Sequence, residues 1–580
     1  MHGSHDRLLN PAAEKNGEYC LTIAAECRLD NREDLKSRLG IDGASAANLT
    51  DTELILAAYR IWGTQTPEFL LGDFAFAIGD NRGNSIFCAR DHLGIVPFYY
   101  DLSATTFAYG TGVREAVVGR KSDPEPCEPA IAIYLRDGEL YHDRLTFIEG
   151  VKKLPPGHAL LITGEEHSEW CYWRPEESPC IRYGSREESV AHLKQLLAEV
   201  VRCRIPEGQP VGLHLSGGLD SSALTALAAT KITAKSGRLA AFSWMSPPDS
   251  AEQANEPEWA TGRIVAERYD IPISYEKFGS DELLHILETH NIASGDTVDC
   301  WYEFGVREKA AAGNVKTLIT GWGGDQFISH HGSRSYFEAF WRGRIVPILS
   351  HFWQVSSSAE SRFRGFSQLV FYQLIQPWTE RWFRRPRQRL EYLDTATDQL
   401  VSQADALPRE FIQYSHRSVR GQQLGKNERL HLNSRLEGWG ASGRKAGIEY
   451  RYPLLDKRVV EFALGIPPEL YRREGTTRYI FREAVKELLP EQVWSGPKAG
   501  TEPARLQKAM EICFEALLRW NRKHGGEIAD HPYIDGNKLK SLLSDIATRE
   551  PVMDIDTYRA VATAIKSILV LNMSLEPSRL

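Results

Sequence analysis

One stretch narrows the possible folds of this chain more than any other: Pro210-Val-Gly-Leu-His-Leu-Ser-Gly-Gly-Leu-Asp-Ser-Ser222. An apolar run ends in a Gly-Gly turn, and the turn opens at once into Ala-Leu-Thr-Ala-Leu-Ala-Ala, a run rich in helix formers. Ser216, Gly217, Gly218, Asp220, Ser221 and Ser222 therefore stand where a strand hands over to a helix N-terminus. Unpaired backbone N–H groups and the positive end of the helix dipole make such a place an anion site. Glycines let the backbone approach a phosphate closely. The hydroxyls add donors, and Asp220 can hold a metal that neutralises phosphate charge.

The surrounding pattern fixes the sheet type. Ser189 to Arg202 reads as an amphipathic helix, Leu239 to Trp244 as a strand, Glu258 to Tyr269 as a helix and Val315 to Thr320 as a third apolar strand. Strands alternating with helices predict a parallel sheet covered on both faces. Ligands then bind beyond the carboxyl ends of the strands. Those ends are Ser216, the neighbourhood of Ser243 and Trp244, and Gly321-Trp-Gly-Gly-Asp-Gln326. Gly323 and Gly324 allow a tight turn against phosphate, and Asp325 can share Mg²⁺ with Asp220. ATP and Mg²⁺ are the expected ligands.

No Gly-Lys-Ser/Thr closes the loop, so it is not a Walker motif. It resembles the Ser-Gly-Gly-Xaa-Asp-Ser loop of ATP pyrophosphatases, which split ATP between the α- and β-phosphates. The turn at 321–326 is similar to the Gly-Asp-Gly-Gly-Asp-Glu motif of asparagine synthetases, with Trp322 for the first acid and Gln326 for the final one. Gly447-Ile-Glu-Tyr-Arg-Tyr-Pro-Leu-Leu-Asp456 resembles a further phrase of that family. By that analogy Glu449 lies in the active site, orienting or deprotonating the attacking amine, while Arg451 and Asp456 make structural contacts. Arg478 to Pro490 reads as an amphipathic helix, and Ser495-Gly-Pro-Lys-Ala-Gly500 resembles the family's lysine loop. Lys498 would there stabilise charge on the α-phosphate and acyl-adenylate.

The first part of the chain reads as short strands, including 85–90 and 97–100, with a helix over 52–62 capped by Thr50 or Asp51. Arg28-Leu-Asp-Asn-Arg32, Leu71-Gly-Asp-Phe-Ala-Phe-Ala77 and Ala89-Arg-Asp-His-Leu-Gly94 resemble the glutaminase domain of class B asparagine synthetases. That domain needs an N-terminal cysteine and an Asn-Gly oxyanion pair. Here position 2 is His2, and Glu26, Cys27 and Arg28 align with the Asn-Gly pair and the glutamate that follows it. The expectation is a retained but non-hydrolytic domain; rescue by Cys20 or Cys27 is the alternative. The fold class expected is thus two-domain, α/β with α+β. Residues 1–180 form a degenerate N-terminal-nucleophile αββα domain. Residues 185–580 form an ATP-pyrophosphatase α/β domain with a parallel sheet and a helical insertion at about 333–410.

The chain's 580 residues suit several domains. A net charge of -8 gives no reason to expect nucleic-acid binding. The nine cysteines form no Cys-Xaa-Xaa-Cys pair, which argues against a zinc site and a tRNA-modifying relative. The polar beginning and the lack of a long apolar run predict no integral membrane segment and a cytoplasmic location.

Without a working glutaminase the nucleophile must come from elsewhere. β-Lactam synthetases and lasso-peptide cyclases both resemble asparagine synthetases and use an amine of the substrate. Phe242-Ser-Trp-Met-Ser-Pro-Pro248 with Asn255-Glu256, and Gly321-Trp-Gly-Gly-Asp325, look like the cyclase patterns. The resemblance implies adenylation of an Asp or Glu side chain in a leader-free core peptide and attack by its N-terminal amine. A lasso maturation protease is the implied partner. Ammonia-dependent asparagine synthesis or β-lactam-type chemistry is the alternative. Aromatics such as Tyr336, Trp341, Phe352 and Trp382, with arginines near 381–389, line either a hollow for that peptide or the buried face of a helical domain.

Overall fold

Apolar alternation in the first half resolves into two stacked antiparallel sheets. The computed structural model describes residues 10–16, 19–41, 48–118, 120, 122–231, 237–245, 247–248, 250, 257–275, 279–295, 303–344, 348, 417–496, 503–526, 528, 531–576 and 578–579. The strands of this half are β1 (Asn10–Asn16), β2 (Tyr19–Leu29), β3 (Gly72–Asp80), β4 (Ser85–Arg90), β5 (Tyr99–Leu102), β6 (Phe107–Gly110), β7 (Val151–Lys153), β8 (His158–Thr163) and β9 (Glu166–Cys171). One sheet runs β1-β2-β3-β4-β8-β9, the other β6-β5-β7. Side chains alternate faces along a strand, and β3 uses both. Phe74, Phe76 and Ile78 meet Leu54, Ile55 and Tyr59 of helix α1 (Asp51–Trp62). Ala75 and Ala77 meet Phe98, Tyr100 and Leu160 between the sheets. Thr50 caps α1 in a reciprocal capping box with Glu53. The short helix Val113–Val117 covers the outer face of the second sheet, so the layers run α-β-β-α.

The second half contains β10 (Val211–His214), β11 (Leu239–Ser243), β12 (Ile273–Tyr275), β13 (Thr317–Ile319) and β14 (Glu449–Arg451). They form one sheet in the order β12-β11-β10-β13-β14, every neighbour parallel. Helix α2 (Arg186–Arg202) precedes β10, and α3 (Leu219–Lys231), α4 (Pro257–Arg268), α5 (Phe304–Ala312) and α6 (Lys426–Ala446) lie between these strands in sequence. Residues of β10 are buried throughout, as a strand covered on both faces requires. Ser185 starts α2 earlier than its apolar spacing predicts, because its hydroxyl accepts from the Glu188 N–H.

Two features cross the boundary expected near residue 180. Helix Glu128–Asp137 of the first half shares a core with Ser280–Thr289 and the last three helices, Pro503–His524, Gly536–Thr548 and Ile555–Leu571. A buried ion network also joins the halves: Arg204 reaches Asp456 at 2.8 Å and Asp30 at 3.2 Å, and Arg28 binds Asp30 and Asp73. Glu437 of α6 receives Arg90 at 3.1 Å and Lys153 at 3.0 Å. Several residues of the N-terminal family-like phrases thus hold the two halves together. Of the 333–410 insertion, Tyr336 and Phe337 are buried while Phe340 and Trp341 are exposed; the later aromatics and arginines lie outside the described residues.

Candidate active site

The strand order places a topological switch at the centre of the parallel sheet. From β10 the chain moves outward to β11 and β12, then returns to the other side for β13 and β14. Connections on the two sides of β10 diverge, leaving a crevice at the carboxyl ends of β10 and β13. Ser216 to Ser222 approach it from β10, and 321–326 from β13.

Side-chain bonds shape the first loop. Ser221 Oγ lies 3.1 Å from Ser216 Oγ, donates to the Gly218 carbonyl at 3.1 Å and accepts from the Ser216 N–H at 3.2 Å. Gly217 has φ 74°, which closes the turn before the helix. Ser222 is fully buried and its Oγ has no hydrogen-bond partner.

The second turn leans on this helix start. A Cβ on Gly324 would come within 2.8 Å of Asp220 Oδ2 and 2.7 Å of Leu454 Cδ1. Gly323 has φ 92° and abuts Leu455. These two glycines bring the turn close to the helix start. Asp220 and Asp325 do converge, on Arg478. That guanidinium pairs with Asp325 and lies 4.0 Å from Asp220 Oδ1. Ser329 donates to Asp220 Oδ2 at 2.8 Å.

Among the described residues no three His, Cys, Asp or Glu side chains gather tightly enough to hold a metal by themselves. Two carboxylates with substrate phosphate oxygens nevertheless suit Mg²⁺, which keeps few protein ligands. The donor set of Asp220 and Asp325 therefore fits an ATP-bound magnesium, with Arg478 supplying positive charge beside it.

Other expected site residues fare differently. Ser243 sits at the end of β11 but is buried, and its Oγ accepts from the Met245 N–H at 3.4 Å. Glu449 opens β14 opposite Thr317, level with Val211 at the start of β10. Four residues separate Thr317 from Gly321, about 13 Å of extended chain. Glu449 thus lies at the edge of the sheet away from the crevice, in a two-bonded pair with Arg451 at 3.0 Å. The strand runs toward the crevice from Glu449, and Leu454 and Leu455 of the same phrase pack against Gly324 and Gly323. Asp456 caps the following helix and pairs with Arg204 and Arg458, the structural role expected of it. Lys498 and Asn255-Glu256 lie outside the described residues. The stem before Lys498 is anchored, because Arg482 donates to the carbonyls of Thr477, Trp494 and Gly496.

Several side chains at the crevice gave little sign in the sequence. Arg478 adopts a left-handed φ of 58° at the start of a short helix, Tyr479–Val485. His330 is held down to about 4, chiefly by burial and secondarily by His331. Trp322 packs on Trp439 and His431, with the Arg435 guanidinium 4.8 Å from its ring centre. Behind this aromatic wall, Glu303 is fully buried and accepts from His214 Nε2 at 2.8 Å, Tyr450 OH at 2.9 Å and Trp244 Nε1.

In the first half, the positions aligned with an oxyanion pair carry other bonds. Glu26 accepts from Thr111 at 2.6 Å. The Cys27 sulfur lies 3.6 Å from Thr52 Oγ1, and burial pushes its thiol up to about 11. Arg28 is committed to Asp30 and Asp73. His2 lies outside the described residues.

Comparison with known proteins agrees with this division. The family model "Asparagine synthase" matches residues 192–566, and "Glutamine amidotransferase domain" matches 2–173. "Asparagine synthetase [glutamine-hydrolyzing] 3" of Bacillus subtilis is 23% identical over 81% of this chain and 74% of its own. "Asparagine synthetase [glutamine-hydrolyzing] 1" of the same organism is 23% identical, covering 92% of this chain and 83% of its own. "Amidase chry2" of Gibberella zeae is 27% identical over 50% of this chain and 44% of its own.

Proposed function

This chain belongs to the asparagine synthase family, and we propose that it closes an isopeptide ring in a leader-free core peptide at the expense of ATP. Membership makes it an ATP-dependent, amide-forming ligase. The finer reading concerns the nucleophile. Glu26, where an oxyanion donor would serve glutamine hydrolysis, presents a carboxylate that accepts a bond from Thr111. A carboxylate repels a developing oxyanion. That observation carries the reading: ammonia is not generated in the first half, so the attacking amine arrives with the substrate. The phrases at 242–248 and 321–325, similar to those of lasso-peptide cyclases, support a peptide over a small diacid.

In the proposed reaction the backbone of Ser216 to Gly218 and the start of α3 bind the pyrophosphate part of ATP. Asp220 and Asp325 would hold Mg²⁺, which would supply neutralisation of phosphate charge. Arg478 adds a fixed cation next to both carboxylates. An Asp or Glu carboxylate of the peptide attacks the α-phosphate, forming the acyl-adenylate and releasing pyrophosphate. The peptide's N-terminal amine then attacks the acyl carbon, giving the isopeptide and AMP. Lys498 offsets charge on the α-phosphate in both steps. Holding amine and adenylate together can supply roughly 7–11 kcal/mol of the barrier. A lasso maturation protease delivers the leader-free peptide.

Mass spectrometry with Mg-ATP tests this, using the peptide encoded beside this gene with its protease, and separately aspartate with ammonia. Loss of one water from the peptide, a blocked N-terminus and AMP release support macrolactam formation. AMP release with aspartate and ammonia alone refutes it in favour of asparagine synthesis.

A further inference from the structure

A group of chemically capable side chains outside the ATP crevice lines a cleft between the two halves of the molecule. This cleft has a volume of about 350 Å³. Its walls include His92, His158, Cys171 and Arg174 from the first half and Leu430 and Asn433 from α6. Nothing in the proposed ligase chemistry uses it.

His158 opens β8 and Cys171 closes β9, and the two are direct cross-strand partners. Side chains on directly opposed residues stand about 5 Å apart at Cβ and share a face of the sheet. The imidazole orientation is set by the backbone. His158 Nδ1 lies 2.8 Å from the Pro156 carbonyl, which can only accept, so Nδ1 carries the proton. Nε2 is then the basic nitrogen of the neutral ring. The protonated thiol donates to the Trp173 carbonyl at 3.1 Å. Burial pushes the Cys171 thiol up, but bonding and charge from His158, and then from Arg174, outweigh it and leave the thiol below its ordinary range.

His92 lines the same cleft. It is buried, stacked edge-on against Trp173 at 5.4 Å, and its Nε2 has no hydrogen-bond partner. Other thiols show the contrast. Cys127, Cys203 and Cys513 are pushed up to about 11, 11 and 12 by burial.

We propose that Cys171, paired with His158, is a modification site for small hydroperoxides entering this cleft. His158 Nε2 takes the thiol proton, and the thiolate sulfur attacks one peroxide oxygen. The S–O bond forms as the O–O bond breaks. The departing hydroxide, or the alkoxide of an organic hydroperoxide, takes the proton from the imidazolium and leaves as water or alcohol. Sulfur is oxidised by two electrons to the sulfenic acid, and the peroxide is reduced by two. Arg174 offsets the negative charge that grows on the departing oxygen. The product lies across the cleft from α6, whose Arg435 and Trp439 contact Trp322 at the ATP crevice.

The test treats the full chain with limiting hydrogen peroxide in the presence of dimedone, a sulfenic-acid trap, and follows each cysteine peptide by mass spectrometry. Cys180, which is exposed, is the internal reference. Cys171 is expected to be trapped faster than Cys180, and His158→Gln to slow Cys171 about tenfold, the gap between a thiolate and an ordinary thiol near neutral pH. A thermal melt matching that of the unaltered protein checks that His158→Gln is folded. Trapping of Cys171 no faster than Cys180 in the unaltered protein overturns the proposal, and so does an unchanged Cys171 rate in folded His158→Gln.

Discussion

Replacing Arg478 by methionine isolates the electrostatics of the ATP crevice. Its guanidinium is almost wholly buried, pairs with Asp325 and stands 4.0 Å from Asp220. Two carboxylates that reach one guanidinium lie roughly 6–8 Å apart, and at an effective dielectric of about 20 they repel by about 2–3 kcal/mol. Methionine keeps much of the side-chain volume but leaves that repulsion without a counter-charge. Asp325 is partly exposed, so solvent screens part of it and the net cost is about 2 kcal/mol. Thermal melting in metal-free buffer should therefore fall relative to the unaltered protein. Millimolar Mg²⁺ should then recover more stability in Arg478→Met than in the parent, because it meets two carboxylates with no competing cation. Adding Asp325→Asn to Arg478→Met should remove most of both effects. The reasoning is refuted if Arg478→Met melts at the parent temperature, or if Mg²⁺ stabilises the two proteins equally.

Asp220→Asn retains an acceptor for Ser329 but loses the charge, so folding should survive while AMP release drops by about 10²–10³-fold, read by coupled nucleotide assay. Glu449→Gln, by contrast, should leave AMP release near the parental rate and lower stability only slightly, as measured by melting. Glu437→Ala strands Lys153 and Arg90 inside the interface and should cost about 3–5 kcal/mol in denaturant titration; Glu437→Leu with Lys153→Met should regain much of it. His330 is held neutral from its ordinary 6.5 down to about 4. The unfolded chain therefore binds more protons across that window, and stability is lost as pH falls from 6.5 to 4. His330→Asn should flatten this slope by up to about 3 kcal/mol when melts are compared across pH.

The strand-to-helix loop was legible because it is local. Its residues follow one another, and backbone geometry alone places Ser216 to Asp220 at a helix start. The parallel sheet was legible for a related reason, since βαβ crossovers announce themselves as alternating patterns. Glu449 shows where local reading stops. A motif gives residue types and spacing, whereas strand direction decides which end of the motif meets the crevice. Pairing Glu449 with Thr317 turns the acid away and turns Leu454 and Leu455 inward. Register with β13 is a long-range property that the phrase does not carry.

The same distinction explains why Arg478 and Glu303 were missed. Each is an ordinary charged residue in its own segment, and each acquires its role from partners far along the chain: Asp220 and Asp325 for one, His214, Trp244 and Tyr450 for the other. Their partners nevertheless impose a common logic on the crevice. Where related motifs carry an acid, Trp322 offers an aromatic face to Arg435, Trp439 and His431. The one fully buried carboxylate of this wall, Glu303, is consumed by three donors. An acid engaged in this way ties the wall together, joining β10, β11 and β14 through His214, Trp244 and Tyr450. The wall is therefore suited to holding and desolvating a substrate. In the proposed ring closure the incoming amine reaches the crevice already neutral, or loses its proton to the adenylate phosphate or to water. AMP release should then follow the titration of the peptide's own α-amine, rising toward its ordinary value of about 7.7–8.0. Acetylating that amine should stop ring formation while leaving the first, pyrophosphate-releasing step measurable by isotope exchange. Loss of both steps on acetylation would show that the amine is needed for binding and would remove this argument.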